Sequence, residues 1–366
     1  MMTTTLHGDG RLVFAVQLVS VRRPEDDRPE DRRREVVAIL TALEGHRDAT
    51  FSVQWTCDPR VGHPTGGSID VAVLVSMPAT TTAEVIDEVA DDLLDLLNGP
   101  PHLWRFAVVE HAAVLAQLLL PVDACHLAEI ARREEDLPAG PPGSTVGFNG
   151  SSAAVAEPDL WTLWLLGPPA PDTNRLATAL LAQEAVVNIR MTIAPSALTA
   201  AERDNLEQLI HNEVPRDLSS SSFRAAFRTL ESMLYLRPVF RAQCIVASSE
   251  PLSVSLLSTI GHSLSEPQAH AADPPTTLSG GYAVHRDEAR LHVAYDSLGA
   301  TSDLPSIAPA GLRRLRGLFG VWEAANLFRL PVLAEQGEQG MIVDERPSLP
   351  GVLRELPTHG TRIGDV

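Results

Sequence analysis

The order of secondary-structure patterns in the first third of the chain constrains the fold more than any other feature of the sequence. Residues 11–21 (RLVFAVQLVSV) are apolar and β-branched, as expected for a strand. Three further strands are predicted over residues 50–55, 69–76 and 104–109. Apolar residues at helical spacing predict helices over residues 36–43 and 80–97. The predicted order is therefore β-α-β-β-α-β.

This order is that of a split ferredoxin-like unit. We assign residues 1–137 to a first ferredoxin-like module. The module ends in a trailing helix, which the apolar pattern predicts over residues 114–134 with a break at Pro121. Residues 138–157 are rich in proline and glycine and are predicted to be a linker. The main domain boundary is expected there.

The second half repeats this plan with an insertion. Strands are predicted over residues 160–166, 185–193 and 239–247, and helices over residues 173–183 and 251–264. Two inserted helices, residues 198–212 and 221–236, lie between the second and third of these strands, and a short strand pair is predicted over residues 282–285 and 291–294. We assign residues 158–305 to a second ferredoxin-like module and residues 306–366 to a helix followed by an extended connector. The predicted fold class is α+β.

The absence of lysine limits the chemistry open to this chain. All 29 of its Lys and Arg residues are arginine. A Walker A loop needs a lysine that reaches the β- and γ-phosphates, so a P-loop site is excluded. Schiff-base and lysine general-base mechanisms are excluded for the same reason. The formal net charge of −18 disfavours non-specific binding to nucleic acid or to an anionic membrane. We expect no cofactor and no catalysis by this chain alone.

The cysteines and histidines give one weak candidate for a catalytic or metal site. Three cysteines, spaced far apart, form neither a disulfide framework nor a zinc ribbon. His285, Asp287 and His292 lie close in sequence, and a hairpin would bring the two histidines onto opposing strands. Exposed polar residues of a hairpin explain the pattern better than a metal site. A stand-alone enzyme with these side chains in a cleft between the modules remains an alternative.

Several short motifs resemble one protein family. A strand is followed by a Pro-x-x-Leu-Thr-x-x-Glu turn at residues 195–202, and Thr199 with Glu202 forms a capping box. A Glu-Ala-x-x-Leu-Phe-x-Leu-Pro element follows at residues 323–331, and GTRIG occurs at residues 360–364. In this order the motifs resemble the region before the motor in HerA/FtsK-like ATPases, which include the DNA-pumping ATPases of conjugation and type IV secretion. The resemblance covers most of residues 160–366 and, more loosely, residues 11–110.

The resemblance implies a non-catalytic accessory or assembly role, because no P-loop core can be assigned. The implied partner is a P-loop ring ATPase, either a separate chain or the core of a longer protein, with DNA reached through that complex and a homo-oligomer left open. The element at residues 323–331 would dock on the motor. Its docking residues would be Glu323, Leu327, Phe328, Arg329 and Pro331. Packing of Phe328 and Leu330 on the chain's own core is the alternative.

A second candidate contact surface is basic. Arg313, Arg314 and Arg316 fall on a predicted helix and are candidates for contact with DNA or an acidic partner. A protein-binding module that uses exposed sheet edges, with no link to nucleotides, is a further alternative. No basic N-terminal region followed by an apolar stretch is present, and no apolar run is long enough to span a bilayer. We therefore expect a cytoplasmic protein without membrane insertion.

Overall fold

The computed structural model describes residues 3–7, 10–22, 29–63, 66–99, 103–137, 160–167, 173–212, 221–265, 281–299, 305–332 and 341. In these ranges the fold is mixed α+β, as the sequence predicts, with a mainly antiparallel sheet. The predicted linker at residues 138–157 lies outside the described residues. So does the predicted connector after residue 332, including the GTRIG motif, except for Met341.

The elements alternate along the chain. The strands are β1 (Thr5–Leu6), β2 (Arg11–Val21), β3 (Thr50–His63), β4 (Gly66–Pro78), β5 (Trp104–Val108), β6 (His126–Arg132), β7 (Glu134–Leu137), β8 (Leu160–Leu163), β9 (Val187–Ser196), β10 (Val239–Ser248), β11 (Tyr282–His285) and β12 (Leu318–Gly320). The α-helices are α1 (Pro29–Leu43), α2 (Ala83–Asn98), α3 (Ala112–Leu119), α4 (Asn174–Leu181), α5 (Ala200–Asn212), α6 (Ser221–Leu234), α7 (Val254–Leu264), α8 (Glu288–Asp296) and α9 (Val321–Leu327). A 3-10 helix spans Arg313–Gly317.

One continuous sheet organises the described structure. Its ten strands follow the order β1-β2-β4-β3-β9-β10-β6-β11, while β5 also pairs with β2 and β12 with β10. Strands β3 and β9 pair in antiparallel register from Phe51 opposite Ile193 to Cys57 opposite Val187. Because β3 belongs to the first half of the chain and β9 to the second, this pairing joins the halves through main-chain hydrogen bonds.

The strand order is the same in both halves when each is read from its outer edge. We call residues 11–108, with strands β2 to β5, the first half, and residues 126–285, with β6, β9, β10 and β11 in the main sheet, the second half. The strand order is β5-β2-β4-β3 in the first half and β11-β6-β10-β9 in the second half. In each half the third strand along the chain lies between the first and the second. The helices α5 and α6 lie between β9 and β10, where the sequence predicts an inserted helical pair.

Four predicted elements differ from the structure. The predicted trailing helix over residues 114–134 ends at Leu119, and its second part is strand β6, which pairs with both β10 and β11. The predicted strand at 160–166 is β8, which pairs with β7 in a separate two-stranded sheet. The predicted strand at 291–294 belongs to helix α8, whose start is capped by the Asp287 carboxylate accepting from the Arg290 amide. The single helix predicted at the start of residues 306–366 is instead the 3-10 helix, β12 and α9.

Different helices pack on the two faces of the sheet. Side chains alternate along β2, so Phe14 and Val16 join the main core while Val13 and Ala15 face the opposite side. The main core receives the apolar sides of α1, α2, α4, α7 and α9. The opposite face is covered in part by α3 and α8. Each large apolar side chain buried in these cores contributes about 1.5–3 kcal/mol.

A buried arginine links the elements on the second face. Arg190 of β9 donates to the side-chain oxygen of Gln54, at 3.1 and 3.0 Å, and to the carbonyls of Leu119 and Tyr295, at 3.0 and 2.8 Å. Its guanidinium also lies over the Tyr295 ring, 4.0 Å from the centroid. Arg190 therefore ties β3, α3 and α8 to the middle of the sheet.

No helix in the described ranges is both long and apolar enough to span a bilayer.

Candidate functional site

The segment that follows α9 is held inside the molecule by hydrogen bonds from both halves. We call residues 328–332 the anchored segment. Nε1 of Trp55, on β3, donates to the Arg329 carbonyl at 2.8 Å, and Nε1 of Trp104, on β5, donates to the Pro331 carbonyl at 2.6 Å. The hydroxyl and amide of Thr173, at the start of α4, both donate to the Val332 carbonyl at 3.0 Å. The main chain is therefore fixed at the carbonyls of residues 329, 331 and 332.

A buried ion pair fixes the helix before this segment. Glu323 of α9 accepts a hydrogen bond from the guanidinium of Arg132, which is 0% exposed, and one from the Leu166 amide at 2.8 Å. Arg132 also donates to the Leu315 and Leu318 carbonyls, at 3.2 and 2.6 Å. Because each charge is paired and further hydrogen-bonded, the cost of burying the two ions is offset. The pair attaches α9 to β6.

The candidate docking residues lie in this buried region. Glu323, Leu327, Phe328, Arg329 and Pro331 are all buried, and Phe328 is 0% exposed within the main core. The packing of Phe328 and Leu330 on the chain's own core, which the sequence leaves open, is thus present.

One aromatic residue of α9 does reach the surface. Trp322 is 50% exposed, next to the buried Glu323. The Arg33 guanidinium, on α1, lies 5.3 Å from the centre of the Trp322 ring and donates to the Trp322 carbonyl at 3.0 Å. We call this pair the Trp322–Arg33 surface. No local sequence pattern shows that these two residues meet at the surface, because only the helix orientation decides which neighbour of Glu323 points outward.

A cavity of about 450 Å³ lies at the end of the sheet where strand β9 ends and strand β10 begins. The antiparallel register places Val239 opposite Ser196, so the two chain reversals meet there. The capping box predicted from the sequence fixes one reversal: the Thr199 hydroxyl accepts from the Glu202 amide at 3.1 Å, and the Glu202 carboxylate accepts from the Thr199 amide at 2.8 Å. The lining residues are Glu44, Arg47, Pro195, Ser196, Ala197, Leu198, Arg203, Leu236, Arg237, Pro238 and Val239.

Arginines gather around this end of the sheet. Arg47, Arg203 and Arg237 line the cavity. Burial lowers the pKa of a fourth, Arg241 on β10, and the neighbouring Arg314 and Arg11 lower it further. These arginines concentrate positive charge at this end of the sheet, although the formal net charge of the chain is −18.

The three arginines predicted to form one basic surface have different environments. Arg314 grips Glu202 with two hydrogen bonds, Nε to Oε1 at 2.6 Å and Nη2 to Oε2 at 2.7 Å. Burial opposes ionisation of Glu202, but hydrogen bonds from Arg314 and Thr199 outweigh it and hold its pKa below the usual value. Arg316 is 7% exposed in its side chain and lies 3.6 Å from Glu129. Arg313 is exposed. The structure does not bring the three together on one surface.

The histidine set of the enzyme alternative is likewise dispersed. His285 lies on β11 opposite Glu129, and burial, with Arg316 nearby, lowers its pKa. Asp287 caps α8, and His292 lies within that helix. Among the residues that the structure describes, no group of three or more His, Cys, Asp or Glu side chains could hold a metal ion.

The buried cysteines are poor nucleophiles. Burial, together with Asp58 and Asp70, raises the pKa of Cys57 to about 11. Burial and the nearby Glu129 also raise the pKa of Cys244. Since the thiolate is the reactive form, both thiols are unreactive at neutral pH.

No family model and no curated protein matches this chain. Function must therefore be inferred from the anchored segment, the Trp322–Arg33 surface and the arginine-lined cavity.

Proposed function

We propose that this chain is a non-catalytic accessory or assembly unit of a HerA/FtsK-like ring ATPase, as its sequence motifs imply. The observation that carries the proposal is the anchoring of residues 328–332, most of which belong to the element at residues 323–331 that resembles the one before the motor in that family. The role is mechanical: the unit holds the approach to the motor in a fixed position and relays contacts with partners. The absence of lysine agrees with a unit that does not hydrolyse nucleotide itself.

We further propose that the sheet consists of two ferredoxin-like units joined edge to edge. The support is the strand order, which is the same in both halves, together with the two helices that connect the strands of each unit. The second unit would start at β6 and would carry α5 and α6 as its insertion. The joined edges would be β3 and β9.

The hydrogen bonds of the anchored segment hold its main chain rigidly against both proposed units. Trp55 and Trp104 belong to the first half and Thr173 to the second, so the chain leaves Val332 from a point fixed to both. Each buried hydrogen bond contributes about 1 kcal/mol, and leaving a buried partner unsatisfied costs about 1–3 kcal/mol. A displacement of the polypeptide beyond Val332 would therefore be transmitted to the whole sheet.

The Trp322–Arg33 surface, formed by Trp322 of α9 and Arg33 of α1, is the part of this region open to a partner. Tryptophan and arginine are the residue types that most often dominate the energy of protein interfaces. In this proposal the predicted docking residues Glu323, Leu327, Phe328, Arg329 and Pro331 hold the segment in place, while Trp322 and Arg33 make the contact itself.

The test is affinity purification of the full-length native protein from its own cells, followed by mass spectrometry. We expect a P-loop ATPase to be recovered, and Trp322→Ala to reduce its recovery at least about tenfold, as for an interface hot spot. Tyr235→Ala is the matched control, because Tyr235 is an aromatic residue that is 77% exposed and lies outside α9. Recovery of the protein with no ATPase, or equal losses with both variants, would remove the proposal's support.

A further inference from the structure

The cavity at the end of the sheet carries positive charge that the described residues do not neutralise. Three arginines line it, and Glu44 is the one acid among its described lining residues. The side chains of Arg47 and Arg237 are exposed and make no hydrogen bond or ion pair with any residue that the structure describes, and Arg203 donates to the Leu234 carbonyl at 3.3 Å. By contrast, the buried Arg132 and Arg190 are each held by several acceptors.

A fourth arginine lies behind the cavity wall. Arg241 is two residues along β10 from the lining residue Val239, so both side chains leave the same face of the sheet. The side chain of Arg241 is partly buried and makes no hydrogen bond or ion pair with the described part of the chain. Arg11 and Arg314 lie near it, and Arg314 is itself paired with Glu202. A partly buried charge without a partner costs free energy, and an anion bound nearby would offset that cost.

The remaining walls suit an organic molecule. Pro195, Leu198, Leu236, Pro238 and Val239 supply apolar surface beside the arginines. The volume, about 450 Å³, falls in the range of about 300–1,000 Å³ that is usual for small-molecule sites. A concave space with apolar walls and a few converging charged groups is typical of a ligand pocket rather than of a flat protein interface.

We propose that this cavity binds a small phosphorylated organic molecule, with its phosphate held by Arg47, Arg203 and Arg237 and its organic part against the proline and leucine walls. A guanidinium presents donors in a planar fork that matches phosphate oxygens, and a phosphate offers three such oxygens to separate arginines. Three arginines against one glutamate match the double charge of a phosphate monoester better than the single charge of a carboxylate. The site lies apart from the Trp322–Arg33 surface and needs no ATPase partner.

The experiment is isothermal titration of the full chain at low salt with phenyl phosphate, inorganic phosphate and a hexaglutamate peptide. We expect phenyl phosphate to bind more tightly than inorganic phosphate, because only the former covers the apolar walls. The double variant Arg47→Gln/Arg237→Gln should weaken binding of phenyl phosphate at least about tenfold, since it removes two charge-assisted hydrogen-bond donors. Both positions are exposed, so the variant should keep its thermal midpoint.

The matched control is Arg105→Gln/Arg175→Gln, which removes the same charge at two exposed positions outside the cavity lining. This control should leave the affinity for phenyl phosphate within about twofold. Equal weakening by both double variants would show general electrostatic attraction and overturn the proposal. Binding of hexaglutamate with no binding of phenyl phosphate would overturn it in favour of an acidic peptide. Absence of binding by every probe would also overturn it.

Discussion

At the scale of single residues, the attachment of α9 depends most on the ion pair between Arg132 and Glu323. Replacement of Arg132 by methionine keeps much of the side-chain volume but leaves the Glu323 carboxylate buried without its cation. We expect Arg132→Met to lower the free energy of unfolding by about 3–5 kcal/mol, as is usual when one partner of a buried pair is removed. Chemical denaturation followed by circular dichroism measures this change.

The control for that measurement is Arg290→Met. Arg290 pairs with Asp287 at 3.4 Å, but the two side chains are 49% and 40% exposed. A surface pair of this kind contributes about 0–1 kcal/mol, so the control should lose at most that much. Similar losses for both variants would contradict the structural role assigned to the buried pair.

His285 should make stability depend on pH. Burial, with Arg316 as the second cause, lowers its pKa from the ordinary value of 6.5 in the folded protein. The neutral form is therefore favoured on folding, so His285 contributes stability above pH 6.5 that is lost as the pH falls through its folded pKa. Denaturation between pH 7.5 and pH 5 should show a smaller loss of stability in His285→Gln than in the native chain. His111→Gln, at an exposed position, should follow the native profile.

Residue-level prediction from sequence succeeded where a local motif carries its own geometry. The capping box of Thr199 and Glu202 is present as predicted, because both partners lie within one helical turn. The role of Trp55 and Trp104 was not predictable, since their acceptors are 274 and 227 residues away in sequence. Nor does any local pattern reveal that Arg314 binds Glu202, 112 residues away, instead of an external partner.

At the scale of elements, α9 and the anchored segment form part of the fold. Truncation after Gly320 removes Leu327, Phe328 and Leu330 from the main core and leaves the indole N–H groups of Trp55 and Trp104 without their acceptors. We expect that variant to be unfolded or aggregated, because each buried large side chain contributes about 1.5–3 kcal/mol. Circular dichroism and size-exclusion chromatography report the outcome.

Truncation after Val332 is the matched comparison. It keeps the hydrogen bonds between the anchored segment and the other described residues and, among the described residues, removes only the packing of the partly buried Met341. That variant should fold with a loss of about 1 kcal/mol or less. Equal stability of the two truncated chains would show that residues 321–332 do not stabilise the fold. The proposal that the anchored segment transmits force to the sheet would then be contradicted.

Elements were predictable where hydrophobic spacing was unambiguous. Strand β2 has the predicted bounds, and α5 and α6 occur where an inserted pair was expected. Strand β6 was missed because HLAEIAR lies beside the helical residues of α3 and also fits a helical pattern, and its pairing with β10 and β11 decides the outcome. The predicted hairpin at 282–294 failed because Asp287 caps a helix where a turn was expected.

At the scale of the whole molecule, the pairing of β3 with β9 is the feature that turns two halves into one sheet. The α+β class followed from the alternation of strand and helix patterns. The pairing did not, because contacts between strands about 140 residues apart, such as Ser52 with Thr192, leave no local signature. The main sheet is continuous, and the anchored segment is hydrogen-bonded to both halves of it. Both features agree with the proposed mechanical role.

The most direct test of that role is photo-crosslinking in the native cells with benzoylphenylalanine placed at position 322 and, as the control, at position 235. Both positions are exposed aromatic residues, so each should accept the substitution. The proposed function predicts a crosslink from position 322 to a P-loop ATPase, in the same or another chain, and none from position 235. Crosslinks to an ATPase from neither position, or equally from both, would contradict the proposal that this surface faces a motor.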